Sequence, residues 1–480
     1  MWEHRFTSWI VAGGIMAGAW LAGGGISVAG EVSGPAGFAP VPNPAQWAWH
    51  KAELRMFVHF GMKTFHPSKV HLGTGREDPK TFNPKRFDAD QWVAAAKAGG
   101  FEGIVLVTKH HDGFCNWASD TTDFCVKSSP WKGGRGDVVR EVIDACRRRG
   151  LSFGLYVSII DKHFEQFGAP KFKTYNDYYL AQLRELSTRY GRIDEYWFDG
   201  FKSDQTKIDY EKLAALLREK QPDAVIYDSG TLVKYLPDRC LAWPGHHGGL
   251  KPDQVYRREV EGKMCWYPCE PSTILQGNWF HNGKPMIPLR AIQDQYLTTV
   301  GYGVTPLMNV SPNQDGLIDE ASVERLKQFK AWVDDLHARD LARRPGVKIR
   351  AKSVRRNAPK FGPEMAIDGD ENTYYATDDG VVDAVLEIDL GKVREIDGFI
   401  LKEFIPLGQR VNGYRIDCWK DGKWSEVFSG KTIGYQRIIL EGRASAKGVS
   451  FPATDRVRLV INGALACPLI RSFQVVGEDR

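Results

Sequence analysis

The first half of the chain alternates apolar segments with amphipathic ones, and this alternation limits the fold more than any other feature. The apolar segments are rich in β-branched and aromatic residues, which favour strands. The amphipathic segments follow acids that can cap a helix, and most end at glycine. The predicted strands are 55–60, 103–108, 152–158, 195–199 and 224–228, and the predicted helices are 88–99, 137–149, 175–190 and 209–220. Near-continuous apolar strands between helices predict a parallel sheet.

Polar and aromatic residues gather at the carboxyl ends of these strands, which favours a closed (β/α)8-like TIM barrel over an open sheet. Residues 296–309 can supply the last strands, and a helix at 320–339 closes the domain. Composition changes near 343–346, and short alternating segments separated by turns follow, which predict a β-sandwich or jelly roll. We therefore expect an α/β barrel domain at 31–342 and a C-terminal β-sandwich at 347–480.

The N-terminus has the features of a signal peptide, predicted to span residues 1–30. His4 and Arg5 precede an uncharged stretch at 9–29 that is rich in glycine and alanine, and residues 27–29 are small enough for cleavage. We therefore expect export to the periplasm or the extracellular space. Because the stretch is long for a signal peptide, an uncleaved membrane anchor is the alternative. After cleavage, no stable membrane span is expected.

Charge and composition favour some functions over others. The 64 lysines and arginines nearly balance the 59 acids, so the chain has no basic footprint for nucleic acid. The 15 tryptophans include candidates for stacking on sugar rings, although a structural role for most of them is the simpler explanation. Eight cysteines are compatible with some disulfides in an oxidising compartment. The pair Cys265 and Cys269 indicates packing or a local disulfide rather than a metal site.

Ionisable side chains follow three of the predicted strands. His59 ends the first, His110, His111 and Asp112 follow the second, and Asp199 ends the fourth. In a barrel the carboxyl ends of all strands face one mouth, so these groups are expected to meet there. Adjacent residues of a strand point to opposite faces, and no third ligand is evident, so the histidines suit hydrogen bonds to sugar hydroxyls better than a metal site.

Carboxylates, histidines and tryptophans on a barrel rim, without a nucleotide motif or a nucleophilic serine, predict glycoside hydrolysis. This chemistry needs two acids, one ionised and one protonated. Asp199 supplies the first, and the best partner is Glu270, which follows an apolar aromatic run. Glu259 and Glu261 are rivals in a charged stretch. The residues alone fit a surface-loop acid at Glu270 equally well.

Four motifs, in this order along the chain, resemble those of glycoside hydrolase family 29, the retaining α-L-fucosidases. They are the stretches at 56–61, 108–114, 154–158 and 197–200, and the resemblance covers about residues 40 to 340. The stretch from Glu270 to His281 resembles the branch of that family that prefers α-1,3 and α-1,4 linkages.

The resemblance implies a fold, an activity and a set of site residues. It implies a retaining exo-α-L-fucosidase that acts on fucosylated oligosaccharides or glycoconjugates and needs no metal or other cofactor for catalysis. Asp199 would be the nucleophile and Glu270 the acid/base. The implied substrate-binding residues are His59, His110 and His111 on fucose hydroxyls, Tyr156 and Trp197 lining the pocket, and Trp279 over the C5 methyl.

Parts of the sugar-binding shell depart from the family pattern. His71 stands where the family has a glutamate that helps to hold the sugar, and 158–161 replaces a Ser-Pro-Trp-Asp stretch. The usual arginine after the second acid is missing, with Leu275 and Gln276 nearby. Two alternatives therefore stay open: an enzyme for a related α-L-sugar such as an α-L-galactoside, or a degenerate barrel that binds glycans without hydrolysing them.

The C-terminal region resembles F5/8 type C, or discoidin-like, domains. The resemblance is carried by residues 366–375 and 386–391. In such domains the first stretch can hold a structural Ca²⁺ through loop oxygens, and the acids needed for this are present here. Some of these domains are carbohydrate-binding modules and others only brace the catalytic domain, and the sequence is compatible with both.

Overall fold

The computed structural model describes residues 32–67, 73–200, 208–228, 230–244 and 250–478. The predicted signal peptide and His71 therefore lie outside the described residues. The chain divides into a short unit, Met1–Gly34, and the unit Pro35–Arg480, which contains both the barrel and the C-terminal domain. Within the described ranges, no helix combines the length and the apolar character needed to cross a bilayer.

The barrel half contains ten strands and nine helices within the described residues. The strands are β1 Arg55–Val58, β2 Gly103–Lys109, β3 Ser152–Ser158, β4 Glu195–Asp199, β5 Val225–Asp228, β6 Cys240–Ala242, β7 Arg257–Val260, β8 Lys263–Trp266, β9 Ser272–Ile274 and β10 Leu307–Asn309. The helices are α1 Pro44–Ala52, α2 Met62–Phe65, α3 Ala89–Ala98, α4 Val138–Arg149, α5 Lys162–Phe167, α6 Tyr175–Arg189, α7 Tyr210–Lys220, α8 Leu289–Leu297 and α9 Glu320–Ala338.

Eight of these strands form one parallel sheet in the order β6-β5-β4-β3-β2-β1-β10-β9, and β7 and β8 form a separate two-stranded sheet. The sheet closes on itself through a parallel bridge between Ala242 at the end of β6 and Cys269, just before β9. The Glu270 backbone N–H donates to the Ala242 carbonyl at 2.9 Å in the same contact. The predicted TIM-like barrel is confirmed.

Strand β4 shows how the pattern of side chains builds the barrel. Tyr196 and Phe198 point outward and pack in the layer between the sheet and the helices. Since side chains alternate along a strand, Glu195, Trp197 and Asp199 point into the barrel. Trp197 lies there in a separate inner cluster that includes Phe57 from β1. Asp199 thus reaches the mouth because it is the last inward-facing residue of its strand.

The C-terminal half is an antiparallel β-sandwich, as predicted. Its strands are β11 Lys348–Ala351, β12 Tyr375–Ala376, β13 Ala384–Arg394, β14 Ile396–Glu403, β15 Val411–Lys420, β16 Lys423–Gly430, β17 Arg437–Leu440, β18 Thr454–Ala464 and β19 Leu469–Gly477. A five-stranded sheet, β11-β13-β18-β15-β16, faces a four-stranded sheet, β12-β19-β14-β17. Alternate apolar residues from both sheets form one core between them.

Two sequence-based expectations on bound ions and disulfides lack support. In the loop expected to hold Ca²⁺, oxygens of Asp368 and Asp370 accept backbone N–H groups two residues ahead at 2.9 Å, which is ordinary turn geometry. The described residues contain no cluster of side chains suited to a metal ion. No disulfide joins any of the eight cysteines, all of which lie in described residues, and this includes Cys265 and Cys269.

The amino-terminal end of the barrel interior, which we call the barrel floor, is held by a buried ion pair. Arg55 begins β1 and Glu195 begins β4, and their side chains, 2% and 0% exposed, pair across the interior. Each charge is desolvated, so each depends on the other for compensation. Breaking the pair therefore leaves an uncompensated charge in the barrel.

We expect Glu195→Gln to lower the free energy of unfolding by about 3–5 kcal/mol, because it strands the Arg55 guanidinium. Urea denaturation measures this loss. The matched control is Asp334→Asn, which breaks an exposed pair with Lys330 on α9 and should cost at most about 1 kcal/mol. Equal effects of the two substitutions would contradict the floor pair's structural role.

Candidate active site

Asp199 lies at the carboxyl end of β4 with its side chain 40% exposed at the barrel mouth. The Tyr156 hydroxyl donates a hydrogen bond to its Oδ2 at 2.8 Å. His111 Nε2 lies 3.5 Å from the same oxygen. Burial raises the pKa of Tyr156 well above its usual range, and the neighbouring Asp199 carboxylate adds to this, so the phenol stays a donor. The arrangement fixes one carboxylate oxygen and exposes the group to the mouth.

His110 and His111 both reach the site although they are adjacent. The register between β2 and β3 shifts between Val107 and Lys109, so the chain leaves the regular strand just before the two histidines. Their rings lie 4.3 Å apart between centroids. His111 Nδ1 contacts Ser158 Oγ at 2.5 Å, which ties the β2 loop to the end of β3. Because the two histidines lie outside the regular strand, their side chains need not point to opposite faces of the sheet.

His59 follows β1 and is fixed by Asn309 at the end of β10. Its Nδ1 lies 2.7 Å from Asn309 Oδ1. The Asn309 amide nitrogen donates to the Trp279 carbonyl at 2.7 Å, which orients the amide with its oxygen toward His59. Burial lowers the pKa of His59 to about 3. The ring is therefore neutral, with Nδ1 assigned as the N–H and Nε2 as an acceptor.

Aromatic rings line the same mouth beside these polar groups. The ring centroids of Trp279 and His59 are 5.0 Å apart. Phe280 presents its edge to His59 and to His110, at 5.3 and 5.1 Å. The Tyr156 ring stacks on His110 at 5.7 Å with an 11° interplanar angle. A pocket that combines hydrogen-bonding groups with apolar faces suits a pyranose ring.

A buried ion pair that the sequence did not single out supports these loops. Lys109, the last residue of β2, pairs with Asp161 at 3.1 Å, and both side chains are fully buried. Gln182 of α6 accepts a second bond from Lys109 at 2.9 Å. Asp161 also caps α5 through the Phe164 N–H at 2.8 Å. The pair thus joins the strand that leads to His110 with the altered stretch at 158–161.

Glu270 lies deeper in the barrel than the residues at the mouth. Ser272 is in register with Leu307, which is in register with Arg55, the first residue of β1. Glu270 comes two residues before Ser272, near the level at which β1 begins. His59 comes four residues after Arg55, roughly 13 Å further along β1 at 3.3 Å per residue. Glu270 is therefore buried deeper in the barrel than the groups at the mouth, and its pairing with Asp199 stays a prediction.

The contacts of Glu270 agree with this position. Its Oε1 accepts a hydrogen bond from Trp49 Nε1 at 2.9 Å and its Oε2 from Trp197 Nε1 at 3.1 Å. Trp49, on α1, packs with Val225, the first residue of β5. The side chain is 1% exposed, and burial raises its pKa to about 7 against the opposing effects of Arg55 and the two indole N–H groups.

The structure thus assembles most, but not all, of the predicted site at one mouth. Near Asp199 it brings together His59, His110, His111, Tyr156 and Trp279. Trp197 is buried beneath them, between this group and Glu270. The Asn309 and Lys109 contacts had no sequence signal beyond the position of each residue at a strand end.

Comparison with known proteins agrees with the fold. A family model described as "Alpha-L-fucosidase" matches residues 26–336, and one described as "F5/8 type C domain" matches 348–464. "Alpha-L-fucosidase 1" of Arabidopsis thaliana is 33% identical over 456 residues, which cover 91% of this chain and 87% of that protein.

Solved structures show the same similarity over nearly the whole chain. A Ruminococcus gnavus GH29 fucosidase in complex with fucose superposes with a TM-score of 0.84 at 26% identity, covering 94% of this chain and 98% of that one. A glycoside hydrolase 29 family member from an unknown rumen bacterium gives 0.74 at 28% identity, covering 93% and 78%. The chain therefore belongs to glycoside hydrolase family 29, the α-L-fucosidases, and is a fucose-releasing glycosidase with an F5/8 type C domain.

Proposed function

We propose that the protein is a retaining exo-α-L-fucosidase in which Asp199 is the nucleophile. The observation that carries this proposal is the position of Asp199, an exposed carboxylate at a strand end, with Tyr156 and His111 both on Oδ2. Among the described residues, no hydrogen bond to Oδ1 is present, so this oxygen can attack. Attack on the anomeric carbon forms a fucosyl–enzyme ester, and water then releases fucose with its configuration retained.

The groups around Asp199 would bind the sugar by its hydroxyls and its apolar face. Neutral His59 offers Nε2 as an acceptor to one hydroxyl, while His110 and His111 contact others. Trp279 and Phe280 would cover the C5 methyl, since both rings lie beside His59. This combination supports fucose as the terminal sugar, because L-fucose carries a methyl group where L-galactose carries a hydroxymethyl group.

The second acid of a retaining mechanism lies about 5–5.5 Å from the nucleophile. Glu270 is the sequence-based candidate, and its raised pKa of about 7 suits a proton donor near neutral pH. Its burial, with both oxygens bonded to indole N–H groups, favours a positioning role over contact with a leaving group. We keep the acid/base role of Glu270 as the alternative to a positioning role.

The finer features of the substrate and the chain are also proposals. We propose α-1,3- or α-1,4-linked fucose on glycans as the substrate, because residues 270–281 resemble that branch of the family. We propose residues 31–342 as the catalytic domain and 347–480 as an accessory domain that binds sugar or braces the barrel. Residues 1–30 would direct export to the periplasm or outside the cell.

Asp199→Ala should lower kcat/KM for an aryl α-L-fucoside by about 10⁴-fold, because no ester can form. Asp199→Gly with added azide should yield a fucosyl azide of inverted configuration, seen by NMR. The control is Asp223→Ala, an exposed residue before β5 and remote from the mouth, which should retain full activity. Normal turnover in a folded Asp199→Ala protein would remove Asp199 as the nucleophile.

The Glu270 carboxyl should make stability depend on pH. Its pKa is raised from the ordinary value of 4.5 to about 7, so the folded state keeps a proton that the unfolded state loses between these pH values. The wild-type free energy of unfolding should therefore fall relative to Glu270→Gln as pH rises from 4.5 to 7, by about 1.4 kcal/mol per pH unit. Denaturant titrations of both proteins measure the difference, and a difference independent of pH would contradict the raised pKa.

Aryl α-L-fucoside should be hydrolysed about 10²-fold faster, in kcat/KM, than the matching α-L-galactoside. The galactoside adds one hydroxyl, which would be buried against Trp279 and Phe280. Assays of both substrates with one enzyme preparation measure the ratio. A ratio near one or below would favour the α-L-galactosidase alternative, and hydrolysis of neither substrate, with glycan binding intact, would favour the degenerate binding protein.

A further inference from the structure

We infer that Glu270 is a positioning residue that acts on the nucleophile through Trp197, and that Trp49 completes its anchorage. This role presupposes the proposed function of Asp199 as the nucleophile. In this role Glu270 does not touch the leaving group. It acts through a connected set of contacts that runs from the barrel floor to the mouth.

Trp197 is the central member of this set. One face of its indole stacks on Tyr227, with centroids 3.7 Å apart and a 4° interplanar angle. It also stacks on Tyr156, at 5.4 Å and 22°. The Tyr156 hydroxyl in turn donates to Asp199 at 2.8 Å. A displacement of Trp197 therefore moves the ring that holds the nucleophile's Oδ2.

Stacking alone does not fix the orientation of an indole. Rotation about the bond between Cβ and the ring is roughly two-fold, so a flipped Trp197 ring could still lie between its neighbours. The hydrogen bond from Trp197 Nε1 to Glu270 Oε2 selects one of the two orientations. Glu270 thus determines the orientation in which the Trp197 ring stacks on Tyr156.

The hydrogen bond to the second carboxyl oxygen of Glu270 explains why this position requires a carboxyl group. Both partners of Glu270 are indole N–H groups, which donate and cannot accept. In its ionised form the Glu270 carboxylate has two acceptor oxygens and satisfies both donors. A glutamine would accept from one indole and turn its amide N–H₂ toward the other, which leaves a donor facing a donor in a buried site.

The C-terminal domain holds the helix that supplies Trp49. His50, the next residue of α1, stacks on Tyr435 of the sandwich, with centroids 5.7 Å apart and a 20° interplanar angle. Trp47 meets the same tyrosine edge-on at 6.0 Å. His50 also accepts a hydrogen bond from Trp266 Nε1 at 3.2 Å. The accessory domain thereby contributes to the order of the barrel floor, and through it to the site.

Kinetics with two classes of substrate test this role. The substrates are an aryl α-L-fucoside with a good leaving group and a fucosylated disaccharide with a poor one. Glu270→Gln should lower kcat/KM by about 10²-fold for both alike, since a misplaced nucleophile slows attack whatever the leaving group. Azide should not restore the rate of Glu270→Ala.

The double variant Glu270→Gln with Trp49→Phe distinguishes a loss of positioning from a general loss of packing. Removing the Trp49 N–H relieves the donor–donor contact and frees the glutamine oxygen for Trp197. The double variant should therefore be at least several-fold more active than Glu270→Gln alone, although each substitution lowers stability. Recovery of activity without recovery of stability would assign the effect to positioning.

Glu185→Gln is the matched control. Glu185 is also buried and accepts an indole N–H, from Trp117 at 2.7 Å, but it lies on α6 outside the barrel. The Glu185→Gln variant should have a lower free energy of unfolding and an unchanged kcat/KM. Three outcomes would overturn the positioning role: a loss confined to the poor leaving group, azide rescue of Glu270→Ala, or unchanged kcat/KM in folded Glu270→Gln. The first two would make Glu270 the acid/base. Asp199→Ala, assayed in parallel, tests the nucleophile separately.

Discussion

A closed parallel barrel has an interior from which water is largely excluded, so every polar side chain that points inward needs a partner within it. This requirement shapes both ends of the molecule. At the floor, Arg55 pairs with Glu195, and Glu270 accepts one indole N–H on each oxygen. At the mouth, partners hold the candidate site residues while part of Asp199 stays exposed. The two ends differ in access to solvent. The polar groups at the floor are sealed off and stabilise the barrel, whereas those at the mouth can reach a substrate.

Much of the barrel could be predicted because its signals are local. Near-continuous apolar runs identified β1 to β5, and capping acids and terminal glycines identified the helices between them. The histidines and Asp199 were found because each follows an apolar run directly, and in a parallel barrel such positions converge. The resemblance to family 29 rested on the same stretches, which is why fold and family were confirmed together.

The depth of Glu270 could not be predicted, for a reason that is also physical. Its neighbour β9 has only three residues, Ser272–Ile274, and no apolar run of its own, so the sequence gives no sign that a strand follows. An acid at the beginning of a strand lies near the floor, whereas an acid at its end lies near the mouth. The preceding aromatic run looks like a strand that ends at Glu270, but Trp266 belongs to the β7–β8 hairpin. Similarly, the Lys109–Asp161 pair joins residues 52 positions apart, and only the folded chain brings them together.

The amide of Asn309 has a consequence for which ligands the pocket can accept. Because its nitrogen is committed to the Trp279 carbonyl, its oxygen fixes the proton of His59 on Nδ1 and leaves Nε2 without one. The imidazole therefore enters the pocket as an acceptor only. A ligand must therefore donate a hydrogen bond at this position. An O-methylated sugar or the carboxylate of a uronic acid would instead place an oxygen lone pair against the lone pair of Nε2. One amide on β10 thus makes the pocket discriminate between sugars by the direction of a single hydrogen bond.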